Sequence, residues 1–311
     1  MTAETEVQEQ SNSTQGARQS EPLTPSFAQS ESQDFSTPAV EFRSVHFSFD
    51  EQKVLDGVSF IVMRGEIKII LSGSGGGKST ILKLILGLLK PDGGQVLIDG
   101  EDITDFDESQ LKPVRDKIGM VFQEGGLFDS LSVHDNVAYR LHEEGVPEED
   151  VEREVRQLLR FVDLERETDK LPNQLSGGMQ KRVGIARALV GNPRILLFDE
   201  PTVALDPPTA ATISELIIRL RDLENIASIL VTHEMDTVKY ITTAYAAVTE
   251  KGEVTVEEEG DKFCLGNTKI LMLREGRVIF SGTNEEFIQS EDPYIQRFIS
   301  GTEMEPDRMT R

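Results

Sequence analysis

The stretch Ser72-Gly73-Ser74-Gly75-Gly76-Gly77-Lys78-Ser79-Thr80 decides how this chain is read. It lies between an apolar, β-branched run (Ile69, Ile70, Leu71) and a helical pattern (Ile81, Leu82, Leu84, Ile85, Leu88). Strand, glycine loop and helix, in that order, are the context of a phosphate-binding loop. Glycines have no Cβ, so their backbone N–H groups can wrap closely round phosphate oxygens. The helix behind them points the positive end of its dipole at the same anion. Lys78 then reaches the β- and γ-phosphates, and the Ser79 hydroxyl is a ligand for Mg2+. The strict pattern asks for glycine six residues before Lys78 and finds Ser72. An ordinary glycine-rich turn is the bland alternative, and Gly-Lys-Ser-Thr opening an apolar helix speaks against it.

Composition narrows the partners. At 311 residues the chain can form one large or two modest domains. A formal net charge of −23 lacks the basic footprint of nucleic-acid binding and disfavours adsorption to an anionic membrane. No uninterrupted apolar run approaches the roughly 20 residues needed to cross a bilayer, so direct membrane insertion is not expected. Met1-Thr2-Ala3-Glu4 does not resemble a signal peptide, and the chain reads as cytosolic and soluble. The single cysteine, Cys264, excludes an intramolecular disulfide and a cysteine-only metal site. His46, His134, His142 and His233 are scattered, without metal-ligand spacing.

Residues 1–38 are rich in Ser, Thr, Gln and Glu and poor in large apolar side chains, which predicts a disordered acidic tail, either inert or a docking segment. Strands are expected from Val40, over Val54 to Val62, over Ile69 to Leu71, and over Gly94 to Gly100. Residues from about 105 to 190 read as mostly helical, with Val151, Val155, Leu158, Leu159 and Val162 at helical spacing. Ile195-Leu196-Leu197-Phe198 suits a buried parallel strand, Ile213 to Leu220 a helix, and Ser228 to Thr232 another strand. Strands alternating with helices predict an α/β fold with a mainly parallel sheet covered on both faces. Residues 244–268 break that rhythm. Glu253-Val254-Thr255-Val256-Glu257 alternates, Lys251-Gly252 could turn, and Glu257, Glu258, Glu259 and Asp261 make an acidic hairpin insertion.

Three further stretches carry chemistry. Ile195 to Phe198 ends in Asp199-Glu200-Pro201, and a carboxylate at the end of a central strand lies near the phosphate loop of an open sheet. Asp199 suits Mg2+, and Glu200 suits activation of an attacking water. His233 ends the next strand and could touch the γ-phosphate or orient that water. Leu175-Ser176-Gly177-Gly178-Met179 leads into a helix and makes a second anion cradle, with Ser176 as N-cap. Two such cradles in one chain are naturally used on a nucleotide held between two copies.

Over roughly residues 40–285 this combination resembles the nucleotide-binding subunits of ABC transporters. Ser72–Thr80 resembles Walker A, Leu175–Met179 the signature motif, Ile195–Glu200 Walker B, Val203-Ala204-Leu205-Asp206 the D-loop, and His233 the switch histidine. Gln123 in Val121-Phe122-Gln123 resembles the Q-loop glutamine, which senses Mg2+ and γ-phosphate. Phe49 stands where the family places an aromatic that stacks on adenine.

The resemblance implies a P-loop ABC ATPase fold over 39–290, with an antiparallel β portion, a helical signature subdomain at about 105–190, and a C-terminal extension at 291–311. It implies ATP and Mg2+ as cofactors. The protein is expected to form a head-to-tail dimer of two copies and to sit on the cytoplasmic face of the inner membrane through a polytopic permease. Gly125–Asn136 is the surface expected to receive a helix of that permease.

Phe122 to Val137, with Leu127-Phe128-Asp129-Ser130-Leu131 inside it, looks like Mce/Mla-type phospholipid transporter ATPases. Leu175 to Val183 and Asp292 to Phe298 lean the same way. That implies lipid transport and a lipid-binding Mce-type partner. The alternatives are the ATPase of a small polar solute importer and a permease-free regulatory ABC ATPase.

Overall fold

The computed structural model describes residues 37–73, 75–249, 254–258 and 267–301. Nearly all of the expected N-terminal tail lies outside the described residues, as do Ser74, Lys251-Gly252, Glu259, Asp261, Cys264 and residues 302–311.

The chain opens with β1 (Val40–Phe49) and β2 (Gln52–Val62), an antiparallel pair. Their alternation buries Val40, Phe42, Val45 and Phe47 on one strand and Leu55, Val58, Phe60 and Val62 on the other. The fully buried β3 (Ile67–Ser72) follows, then α1 (Lys78–Ile85), β4 (Gly93–Ile98), β5 (Glu101–Asp102) and α2 (Glu108–Arg115). Next come β6 (Ile118–Val121), α3 (Val133–Glu143), α4 (Glu148–Phe161) and α5 (Gly177–Leu189). The chain returns through β7 (Ile195–Asp199), α6 (Pro207–Glu224), β8 (Ala227–Thr232) and α7 (Met235–Thr243). It then forms β9 (Ala244–Val248), β10 (Val254–Glu258), β11 (Thr268–Arg274), β12 (Arg277–Gly282), α8 (Asn284–Ile288) and α9 (Pro293–Ile299).

Three sheets form among the described residues. The central one has the order β12-β11-β3-β8-β7-β6, parallel except for β12 at its edge. An antiparallel sheet, β2-β1-β4-β5, covers one of its faces, and β9 with β10 forms a separate two-stranded ladder. The continuous apolar runs of the central strands follow from serving two cores at once. In β7, Leu196 and Phe198 join the core shared with α3 to α6, while Ile195 and Leu197 join the core under α1 and the antiparallel sheet.

Within the stretch read as mostly helical, β6 is a strand. Its four residues are too short for periodicity to separate helix from strand. Gly119 lets α5 pass close by, since a Cβ there would come within 2.2 Å of the Ala188 carbonyl oxygen. The β9–β10 ladder is fixed at its root by Arg221 of α6. That buried guanidinium donates to the carbonyls of Ile241 (2.7 Å) and Ala244 (2.8 Å), to Thr268 Oγ1 (3.1 Å), and to both carboxylate oxygens of Asp222.

Candidate functional site

The parallel strands β3, β6, β7 and β8 all point their carboxyl ends the same way, and the chemistry-bearing residues gather there. Ser72 is the last residue of β3 and is fully buried. Beyond it the loop turns through Gly75 (φ 75°) and Gly77 (φ 91°), conformations that favour glycine. A Cβ on Gly77 would also meet Leu55 Cδ2 at 2.8 Å. Gly77 is the N-cap of α1 and has no side chain to offer, so no side-chain cap takes up the first N–H groups of that helix. They are donors available to an anion. Thr80 is buried in the first turn, on the core side.

Lys78 Nζ donates to the Ser72 carbonyl at 3.1 Å and lies 3.5 Å from Glu200 Oε1. Ser79 Oγ donates to Asp199 Oδ1 at 3.3 Å, across 120 residues of sequence. Burial is the main cause that raises the Asp199 pKa, and the bond from Ser79 and the charge of Lys78 oppose it. His233 Nδ1 lies 3.0 Å from both oxygens of Glu200. The Glu200 N–H donates to the Val231 carbonyl at 3.0 Å, which ties the end of β7 to β8. Five of the expected residues therefore form one connected cluster.

Gln123 follows β6 in an exposed turn. The register pairs Val121 with Phe198, so Gln123 stands two residues past β6 as Glu200 stands two past that point on β7. Phe49 ends β1, half exposed, with its ring edge-on to Phe47 at 4.8 Å. Phe47 pairs with Leu55, the residue beneath Gly77.

The second cradle lies on the helical layer. Ser176 caps α5 by accepting from the Met179 N–H at 3.3 Å. Gly177 is open except for Leu205, 3.9 Å from where its Cβ would be. Gly178 serves packing, since a Cβ there would come within 2.2 Å of Thr209 Cγ2 on α6. Asp206 is the N-cap of α6 and accepts from Thr209 N–H (3.1 Å) and Oγ1 (2.7 Å), so its carboxylate is engaged in capping. The Thr209 hydroxyl is the main cause that lowers its pKa.

Sequence reasoning named Asn136 only as the end of an expected surface, and found neither its buried role nor the polar knot behind Glu200. Asn136 is fully buried. It accepts from the Phe128 N–H at 2.8 Å and donates to the carbonyls of Phe128, Leu131 and Ser132, fixing the loop before α3. Above that loop Phe122, Phe128 and Tyr139 are exposed, and the Arg187 guanidinium sits 5.2 Å from the Phe128 ring centre. In the knot, Thr202 Oγ1 donates to Glu234 Oε2 at 2.5 Å and meets Thr237 Oγ1 at 2.9 Å. Neither group carries a spacing that sequence alone would flag.

The sequence matches the ABC transporter family over residues 55–203. Among curated relatives, methionine import ATP-binding protein MetN 2 of Rhodococcus jostii (strain RHA1) is 43% identical over 269 residues, covering 85% of this chain and 72% of that protein. Methionine import ATP-binding protein MetN of Rhizobium meliloti (strain 1021) is 44% identical over 209 residues, covering 67% and 58%. The chain thus spans from about half to about three quarters of the length of such relatives.

Among solved structures, cbiO1 from Clostridium perfringens, part of the ABC transporter complex cbiONQ, superposes with a TM-score of 0.68 at 29% identity, covering 84% of this chain and 94% of that one. The ATP-binding cassette MJ0796, in a dimeric post-hydrolysis state bound to ADP and Pi, gives 0.65 at 32% identity, covering 78% and 98%. These curated relatives do not support the lipid-transporter resemblance or its Mce-type partner; they favour the small-solute alternative. The lipid resemblance rests on three short segments, whereas the match to the Rhodococcus jostii relative spans 269 residues.

Proposed function

Because the chain belongs to the ABC transporter family of ATP-binding proteins, we propose that it is the ATP-hydrolysing subunit of a permease that imports a small polar solute, methionine being the solute in its relatives' names. The observation that carries the ATPase reading is the convergence of Lys78, Ser79, Asp199, Glu200 and His233 at one end of the central sheet. The cytoplasmic face of the cell membrane, reached through the permease, is the corresponding location. No helix among the described residues is long and apolar enough to cross a membrane.

ATP would lie with its adenine on Phe49 and its phosphates in the 72–80 loop. Lys78 exchanges its contact with Glu200 for phosphate oxygens, which frees the carboxylate. Glu200 then accepts a proton from water as that water attacks the γ-phosphate in line, and His233 holds the carboxylate in place. The products are ADP and phosphate. The donor set fits Mg2+ arriving with the nucleotide. Ser79 and Asp199 supply one hydroxyl and one carboxylate, Gln123 an amide, and no cluster of three or more His, Cys, Asp or Glu suited to a metal occurs among the described residues. When bound, Mg2+ neutralises charge on the β- and γ-phosphates.

Two copies would face head to tail, so that Ser176, Gly177 and the amino end of α5 in one close on the γ-phosphate held by the other. The differential affinity of ATP for the closed pair converts binding into movement. The exposed aromatics above Asn136 would receive the permease. The division into a tail (1–38), a cassette (39–290) with a helical part and a hairpin insertion, and an extension (291–311) belongs to the same proposal.

Glu200→Gln tests the site. ATP binding should persist while turnover falls at least about 100-fold; undiminished turnover overturns the assignment. A second reading, phospholipid transport, rests on the Phe122–Val137 segment, with Leu175–Val183 and Asp292–Phe298 leaning the same way. Purification from detergent-solubilised membranes separates them: a permease that carries phospholipid supports it, one that binds a small polar solute supports the first, and soluble partners only support a regulatory ATPase.

A further inference from the structure

Lys181 belongs to α5, the helix that Ser176 opens, yet it is only 6% exposed. Its side chain runs inward to the loop between β7 and α6, where Nζ donates to the Val203 carbonyl at 2.6 Å. That carbonyl lies between two residues with left-handed backbone, Glu200 (φ 49°) and Ala204 (φ 62°). Neither is glycine, and such conformations cost roughly 1–2 kcal/mol each. They persist only where the surroundings over-determine them.

Other restraints on this loop come from β8 and α7, from Lys78 of α1, and from turn bonds that Val203 and Leu205 donate to the Glu200 and Thr202 carbonyls. The Glu200 N–H is bound to the Val231 carbonyl, and Thr202 is bound to Glu234 and Thr237. Lys181 supplies a restraint from the helical layer. Burial works against the charge of its ammonium and lowers its pKa, and the carboxylates of Glu234 and Glu200 work the other way.

We propose that Lys181 is a positioning residue that ties α5 to the loop 200–206, so that the placement of this helix sets the placement of the Glu200 carboxylate. The inference rests on Glu200 being the base. The same helix begins at the cradle that would close on the partner copy's nucleotide. A shift of α5 on closure is then carried through Nζ to Val203, and from there to the base in its own chain. Each copy's catalytic geometry thereby depends on whether its α5 has engaged the nucleotide of the other.

The test is Lys181→Met, which keeps the length and removes the donor, in the full chain with ATP. The expected result is a kcat about tenfold lower, a KM for ATP within about twofold, and a melting temperature within a few degrees of the parent. In a Glu200→Gln background, single-turnover hydrolysis should change by less than about twofold on adding Lys181→Met, because the residue acts through the base. A kcat unchanged by Lys181→Met overturns the inference. So does a raised KM at constant kcat, or a full tenfold loss added on top of Glu200→Gln. If the Met variant does not fold, Lys181→Gln carries the same comparison. Undiminished turnover in Glu200→Gln alone instead overturns the reading of the site, so the two failures are distinct.

Discussion

Ser72 and Gly76 form a matched pair. A Cβ on Gly76 would come within 2.6 Å of Ser72 Oγ and 2.7 Å of Ser72 Cβ, so the serine occupies the room that a side chain at 76 would need. Ser72 ends a strand with no left-handed backbone and donates to the Gly73 carbonyl at 3.0 Å, which is why serine can stand at a position where the pattern asks for glycine. Gly76→Ser should therefore weaken ATP binding about tenfold, roughly 1.4 kcal/mol, by pushing the loop open. Adding Ser72→Gly should restore it to within about twofold. Titration of a fluorescent ATP analogue into the four members of the cycle measures this, and additive effects would refute the pairing. Lys78, Ser79, Asp199 and Glu200 were legible in the sequence because phosphate chemistry needs those types at fixed places relative to strand ends. The compensation at Gly76 was not, because the contact between residues 72 and 76 exists only after the loop has turned.

At the scale of elements, the exposed aromatic surface depends on one buried amide. Asn136→Ala removes four hydrogen bonds and leaves the Phe128 N–H and three carbonyls without that partner. A loss of about 2–3 kcal/mol is expected in urea denaturation. Capture of a permease should fall with it, while the KM for ATP stays within about twofold, since the loop lies outside the Lys78–Glu200 cluster. Asn136→Asp should be no better, since a carboxylate can accept from Phe128 but cannot donate to carbonyls. β7 and β8 could be read directly, as apolar runs ending in Asp199 and before His233. β6 could not, being four residues long. The start of α6 at Pro207 also precedes its first buried apolar residue, Ile213, so hydrophobic pattern alone places it late.

Across the whole molecule, charge and symmetry interact. Each copy carries −23, so bringing two together is opposed by repulsion that salt screens. Raising KCl from about 0.1 M to about 1 M shortens the screening length from about 10 Å to about 3 Å. The ATP-dependent dimer of Glu200→Gln should accordingly tighten several-fold, as sedimentation velocity would record. Weakening would mean that complementary charges across the closed interface outweigh the net repulsion. In the proposed dimer one chain would supply only half of each site: Ser176 and Gly177 lie on the helical layer, and the duplication of anion cradles in the sequence points to their use. The Arg221 clamp has a different consequence. One guanidinium holds both the start of β9, at Ala244, and the start of β11, at Thr268, alongside Ile67 rather than at the nucleotide end of the sheet. Polypeptide of almost any length can be spliced between those two anchors without loading the catalytic edge, which makes the ladder a ready attachment point for a fluorophore or a tether to a surface.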